Sequence, residues 1–127
     1  MEFEFEFLGE KHVGKFCFDR YKSNNSYYIC VLTKEINDFN GEEYWENWDD
    51  VTTNMSYYLS ENKVAILNGN CSDYDVTFAK RLVELNVLKK TGLVCSSGFN
   101  TYDVYQVDEE KLLEVCESLV ELYKKGE

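Results

Sequence analysis

Glu2-Phe3-Glu4-Phe5-Glu6-Phe7 alternates acid and aromatic without a break, the period of two that marks a half-buried β-strand. Phe3, Phe5 and Phe7 then share one face, where burial stabilises the fold by roughly 1.5–3 kcal/mol per ring. Glu2, Glu4 and Glu6 share the other, and their charge discourages pairing of a sheet edge with another chain. Gly9 and Gly14 punctuate the next stretch, residues 15–21 alternate again with Phe16 and Phe18 on one side, and the two runs predict a hairpin. Ser23-Asn24-Asn25-Ser26 has the composition of a turn, because Asn tolerates the left-handed region and bonds its own backbone. Residues 27–34 read as a third strand, so the domain starts as an antiparallel meander.

Farther along, residues 51–59 are rich in Thr, Tyr and Val and predict a fourth strand; residues 64–67 are apolar but short. Asn68-Gly69-Asn70 turns the chain, and Ser72-Asp73-Tyr74-Asp75 fits a capping box that opens a helix from Asp73 to about Leu88. Val76, Phe78, Ala79, Leu82, Val83, Leu85 and Val87 spread over more of its circumference than one-sided packing needs, which predicts burial on more than one side. Thr91-Gly92 breaks the pattern, residues 93–95 and 99–107 read as strands, and Asp108 is a good N-cap for a last helix from Glu109 to Lys125. On that helix Leu112, Leu113, Val115, Cys116, Leu119, Val120 and Tyr123 fall on one face, with Glu110, Glu114, Glu117 and Glu121 striping the other. The expected fold is α+β: an antiparallel sheet of five or six strands covered on one face by these two helices, in a single domain spanning residues 1–127.

At 127 residues and 44% apolar composition the chain is long enough and hydrophobic enough to bury its own core, which excludes a disordered acidic tail despite the net charge of −11. No stretch approaches the roughly 20 apolar residues of a membrane span, and Met1-Glu2-Phe3-Glu4 lacks the basic start of a signal peptide. The expectation is a cytoplasmic protein with no membrane partner. Cys17, Cys30, Cys71, Cys95 and Cys116 are odd in number and contain no C-x-x-C pair, so they read as buried thiols rather than disulfides or a zinc site.

The single histidine, His12, sits in a turn-like context and leaves a cysteine or serine nucleophile without a general base. The phosphate-cradling patterns G-x-x-x-x-G-K-S/T and G-x-G-x-x-G are both absent. Acid pairs such as Glu42/Glu43 and Asp49/Asp50 resemble solvated charge more than a Mg²⁺ site. The expectation is therefore a protein that is not an enzyme, with no catalytic residues, no metal and no cofactor.

The charge itself is unevenly placed. Residues 35–50 hold Glu35, Asp38, Glu42, Glu43, Glu46, Asp49 and Asp50 and no Lys or Arg, which is −7 of the −11. Tyr44, Trp45 and Trp48 are threaded among them, and such aromatics dominate binding energy at interfaces. Direct nucleic-acid binding is disfavoured, because phosphates would meet like charge. A basic protein, of the kind that binds nucleic acid, fits instead. The expected partner-binding residues are Glu42, Glu43, Tyr44, Trp45, Glu46, Trp48, Asp49 and Asp50, with both indoles and the acids facing outward together. A second reading is a small-ligand module near Ser96-Ser97-Gly98-Phe99, where glycine frees the backbone.

From Val51 onward, Val51-Thr52-Thr53-Asn54-Met55, Asn68-Gly69-Asn70, Thr91-Gly92, Ser97-Gly98-Phe99 and Tyr102-Asp103-Val104-Tyr105 resemble an uncharacterised family of small acidic proteins carried on conjugative plasmids, phages and other bacterial mobile elements. The resemblance covers roughly the second half of the chain and carries no activity with it. It implies a genomic setting in which small acidic accessory proteins look like inhibitors of host defence, including anti-CRISPR and anti-restriction proteins that occupy nucleic-acid-binding surfaces.

Overall fold

A computed structural model of the chain describes residues 2–21, 26–53, 63–67, 73–97 and 100–125. The first sheet holds β1 (Glu2–Phe7), β2 (Glu10–Arg20), β3 (Tyr27–Ile36) and β4 (Glu43–Asp50) in that spatial order, all antiparallel. The second holds β5 (Thr52–Thr53), β6 (Lys63–Leu67), β7 (Leu88–Ser97) and β8 (Asn100–Val107), in the order β5-β6-β8-β7. A two-residue strand, β9 (Glu117–Ser118), pairs parallel with Cys17 and Phe18 of β2. The helices are short: α1 (Asp73–Glu84), α2 (Glu109–Val115) and α3 (Leu119–Lys125). This corrects the α+β expectation of one sheet roofed by two helices. Among the described residues the protein is mainly antiparallel β, in two sheets, with three short helices between and beside them.

The expected meander is present, and β4 extends it with a strand the sequence reading missed. Tyr44, Trp45 and Trp48 favour a pleated strand, but the surrounding acids give the segment the look of a loop. Below β4 the chain changes sheets. The Val51 N–H still donates to the Ile29 carbonyl at 2.8 Å, and two residues on, Thr53 pairs with Ala65 of the second sheet. Of the fourth strand expected over residues 51–59, Thr52 and Thr53 are strand, Val51 is a buried bend, and residues 54–59 lie outside the described residues.

One core is drawn from both sheets. Phe16, Ile29 and Val31 on the first sheet meet Val64, Ile66 and Val107 on the second, with Phe78 and Leu82 of α1 and Leu112 and Val115 of α2 filling the space between them. Phe3, Phe5 and Phe7 are half-buried at its margin. Gly14 lies beneath their rings: a Cβ there would come within 3.1 Å of Phe5 and 3.2 Å of Phe3.

Both expected helices are cut. The first stops at Glu84, because Asn86 takes the left-handed conformation (φ 65°) and closes the end with its N–H on the Val83 carbonyl and the Val87 N–H on the Leu82 carbonyl. The apolar spacing of Leu85 and Val87 ran through that stop signal. Leu88, the expected last helical residue, instead opens β7, followed by Lys89 and Lys90. The Ser72 cap lies outside the described residues.

The last helix breaks at Cys116, which is extended (φ −105°, ψ 140°). Its two halves serve opposite faces of the first sheet: Leu112 and Val115 join the main core, whereas Leu119 packs with Cys17, Cys30 and Leu32 on the other side. Residues 117–118 cross between them along the edge of β2 that β1 leaves open. The expected glutamate stripe does not survive this crossing, since Glu117 turns to Lys15 while Leu113 and Val120 are exposed.

Candidate functional site

The acidic run forms the end of the β3–β4 hairpin, and β4 is an edge strand among the described residues. Its tip is tightly built. The Asn37 N–H donates to the Glu42 carbonyl and the Gly41 N–H to the Asn37 carbonyl, both at 2.8 Å. Asn37 Oδ1 accepts from the Phe39 N–H and Asn40 Oδ1 from the Glu42 N–H, both at 2.9 Å. Gly41 supplies the positive φ (72°) that the reversal requires. Asn and Gly occupy these positions because their side chains, or the lack of one, complete the turn locally.

Strand alternation decides where the expected binding residues go. Glu43 opposes Ile36, Trp45 opposes Lys34 and Asn47 opposes Leu32, while Tyr44 opposes Glu35 and Glu46 opposes Thr33 on the other face. Trp45 and Trp48 are three residues apart and so point to opposite faces. A bulge at Trp48, between the Leu32–Asn47 and Val31–Asp49 pairs, adjusts its aim.

Trp45 is half-buried against the Cys17, Cys30, Leu32 and Leu119 cluster, with the Lys15 ammonium 4.1 Å from its ring centroid. Trp48 lies over β1, its ring 5.5 Å from Phe5, 5.3 Å from Phe7 and 4.7 Å from His12. Two intervening strands would hold flat edges about 14 Å apart, so this contact requires the sheet to curl. The tryptophans therefore pack within the protein, on separate faces, and do not stand outward together. His12 is a half-buried residue near the start of β2, stacked on Phe5.

The acids divide likewise. Asp50 accepts from the Tyr28 hydroxyl; burial and this carboxylate together push the Tyr28 phenol well above its ordinary value. Asp49 is half-buried and accepts from the Asp50 N–H at 2.9 Å, and Glu35 accepts from the Thr33 hydroxyl at 2.9 Å. Glu43 shares Lys34 with Glu2, at 3.5 and 3.2 Å, and the hydrogen bond to Glu2 raises the Lys34 pKa. Asp38, Glu42 and Glu46 are exposed and have no ion pair among the described residues. Of the eight expected binding residues, Glu42, Glu43, Tyr44 and Glu46 face solvent near the tip.

Two exposed apolar residues at the same tip escaped the sequence reading. Phe39 is 100% exposed and Ile36 64%, beside Tyr44 at 46%. The signal was available: a phenylalanine flanked by Asp38 and Asn40 inside a turn has no strand or helix periodicity to carry it into a core.

Elsewhere, Ser96 and Ser97 pair with Thr101 and Asn100 at one end of the β7–β8 ladder, and Gly98 and Phe99 lie outside the described residues. A cleft of about 600 Å³ opens at the opposite end, among Val83, Asn86, Leu88, Lys89, Gln106 and Asp108. Cys17, Cys30 and Cys116 are buried thiols; burial pushes Cys17 up to about 12 and Cys30 to about 11, so neither is a ready nucleophile. Among the described residues no three His, Cys, Asp or Glu side chains are grouped to hold a metal ion, and no helix is long and apolar enough to cross a membrane.

The fold and the site together define a small two-sheet β protein that carries its charge on an ordered edge hairpin. The chain belongs to the family described as Domain of unknown function (DUF4313), whose model matches residues 7–126. The family likeness thus spans nearly the whole chain, not the second half alone. No curated protein and no solved structure matches it.

Proposed function

We propose that this protein is a non-enzymatic binding protein of a bacterial mobile element or phage, and that it inhibits a host nucleic-acid-processing defence enzyme by occupying a basic groove. The observation that carries this reading is the −7 of residues 35–50, borne by a projecting hairpin in which Lys34 is the one cation within ion-pairing reach among the described residues. Such a field speeds encounter with a basic surface and is screened within about 8 Å at physiological salt. Glu42, Glu43, Tyr44 and Glu46 make the contacts, while Trp45, Trp48, Asp49 and Asp50 brace the strand that holds them.

The test mixes the purified protein with purified DNA-cleaving defence enzymes of the anti-CRISPR and anti-restriction target classes. Loss of cleavage, binding that weakens steeply with added salt, and displacement by duplex DNA are expected. Unimpaired cleavage across the panel, or affinity that ignores salt, defeats the reading. A small-ligand role draws support from the 600 Å³ cleft, although that lies at the far end of β7 from Ser96. A small molecule retained by the purified protein in native mass spectrometry would favour it.

A further inference from the structure

We infer that the hairpin tip is an insertion element, with Phe39 entering an apolar pocket on a partner protein while Asp38, Glu42 and Glu43 engage Lys or Arg side chains around the rim of that pocket. The inference rests on the proposed binding function and names the element and the partner chemistry that function would use.

A phenylalanine at full exposure contributes nothing to the fold of this chain, yet the turn that presents it is held by two backbone hydrogen bonds and two Asn side-chain hydrogen bonds. The tip is thus ordered before it meets anything, so insertion forfeits little conformational entropy. Ile36 and Tyr44 stand on opposite faces of the hairpin just behind it, extending the apolar surface on both flanks. An apolar centre ringed by carboxylates has the core-and-rim layout of an interface anchor.

Charge selects the occupant. A second copy of this chain would bring the same acids against themselves, and nucleic acid or an anionic lipid surface would be repelled. A protein pocket with an apolar floor and a cationic rim satisfies both parts of the tip.

The full-length protein is expressed in host cells with a photoreactive benzoyl analogue in place of Phe39 and, separately, in place of Leu113, an exposed residue of α2 (69%) outside the hairpin. The protein crosslinked through position 39 is identified by mass spectrometry and purified, and its affinity is measured for wild type, Phe39→Ser, Ile36→Ser and an Asp38→Asn/Glu42→Gln/Glu43→Gln variant. Phe39→Ser is expected to weaken binding roughly 30-fold, the loss appropriate to one buried ring. Its thermal transition should match wild type, since the side chain is wholly exposed. The charge variant should lower the association rate and flatten the salt dependence.

Capture at Leu113 but not at Phe39, no protein captured at Phe39, or a Phe39→Ser affinity within about twofold of wild type overturns the inference. Where a partner is in hand, binding that remains salt-sensitive and independent of Phe39 leaves the broader binding function standing. Binding insensitive to both removes the two together.

Discussion

Replacing Glu117 with Gln would strand a buried ammonium. Lys15 Nζ lies 2.6 Å from Glu117 Oε2, with the Lys15 side chain 9% exposed and that of Glu117 32%. At that separation and an effective dielectric near 20 the gross attraction is about 6 kcal/mol, and desolvation of both ions offsets much of it. Removing one member of a fully buried pair costs about 3–5 kcal/mol. Glu117 is a third exposed and the Trp45 ring shields Lys15 from beneath, so about 2–3 kcal/mol is expected for Glu117→Gln. Lys15→Met should cost less, about 1–2 kcal/mol, because the freed carboxylate can turn to water. The Lys15→Met/Glu117→Gln double variant should recover to within about 1 kcal/mol of wild type, since an apolar replacement removes the buried charge and its partner together. Urea unfolding read by tryptophan fluorescence checks all three, because Trp45 reports on this face. Two single variants within about 0.5 kcal/mol of wild type, or a double variant no better than Glu117→Gln, would refute the pairing as a stabilising link between β2 and β9.

Other outcomes follow from the same contacts. Gly14→Ala should lower stability by about 1–2 kcal/mol, because its Cβ would press on the Phe3 and Phe5 rings, and a raised urea midpoint would contradict this. Stability should fall as pH rises above 9: the unfolded cysteines ionise near 9.0 while folded Cys17 and Cys30 hold their protons to about 12 and 11, so the native state binds more protons there. Tyr27, raised to about 12 by burial and then by donating to Glu109, steepens the loss above pH 10. Equal urea midpoints at pH 8 and pH 10.5 would exclude it. Asp108→Ala should cost about 1 kcal/mol by removing the acceptor of the Lys111 N–H at the start of α2, measured by thermal unfolding.

The candidate site was legible as charge and illegible as geometry. Counting acids locates residues 35–50 whatever the fold, because charge is a property of composition. Assigning Trp45 and Trp48 to one outward face required treating the segment as a loop. Once it is a strand, a spacing of three sends them to opposite faces, and each finds partners from distant parts of the chain: Leu119 for one, Phe5 and Phe7 for the other. With the indoles spent internally, exposure at the tip falls to Phe39 and Ile36, which no hydrophobic-anchor argument from sequence had singled out.

What the sequence determined by itself is local: the alternation of residues 2–7, the N-cap at Asp108 and the acidic bias of residues 35–50 each depend on neighbours a few positions away. The tertiary structure alone decided that the strands form two sheets and that the apolar stripe of residues 109–125 is shared between two faces. The physical reason is that an amphipathic pattern records how much surface must be buried and not against what. Leu112 and Leu119 lie seven residues apart on one continuous helical pattern, and only the open edge of β2, more than ninety residues earlier, draws the chain across from one face to the other.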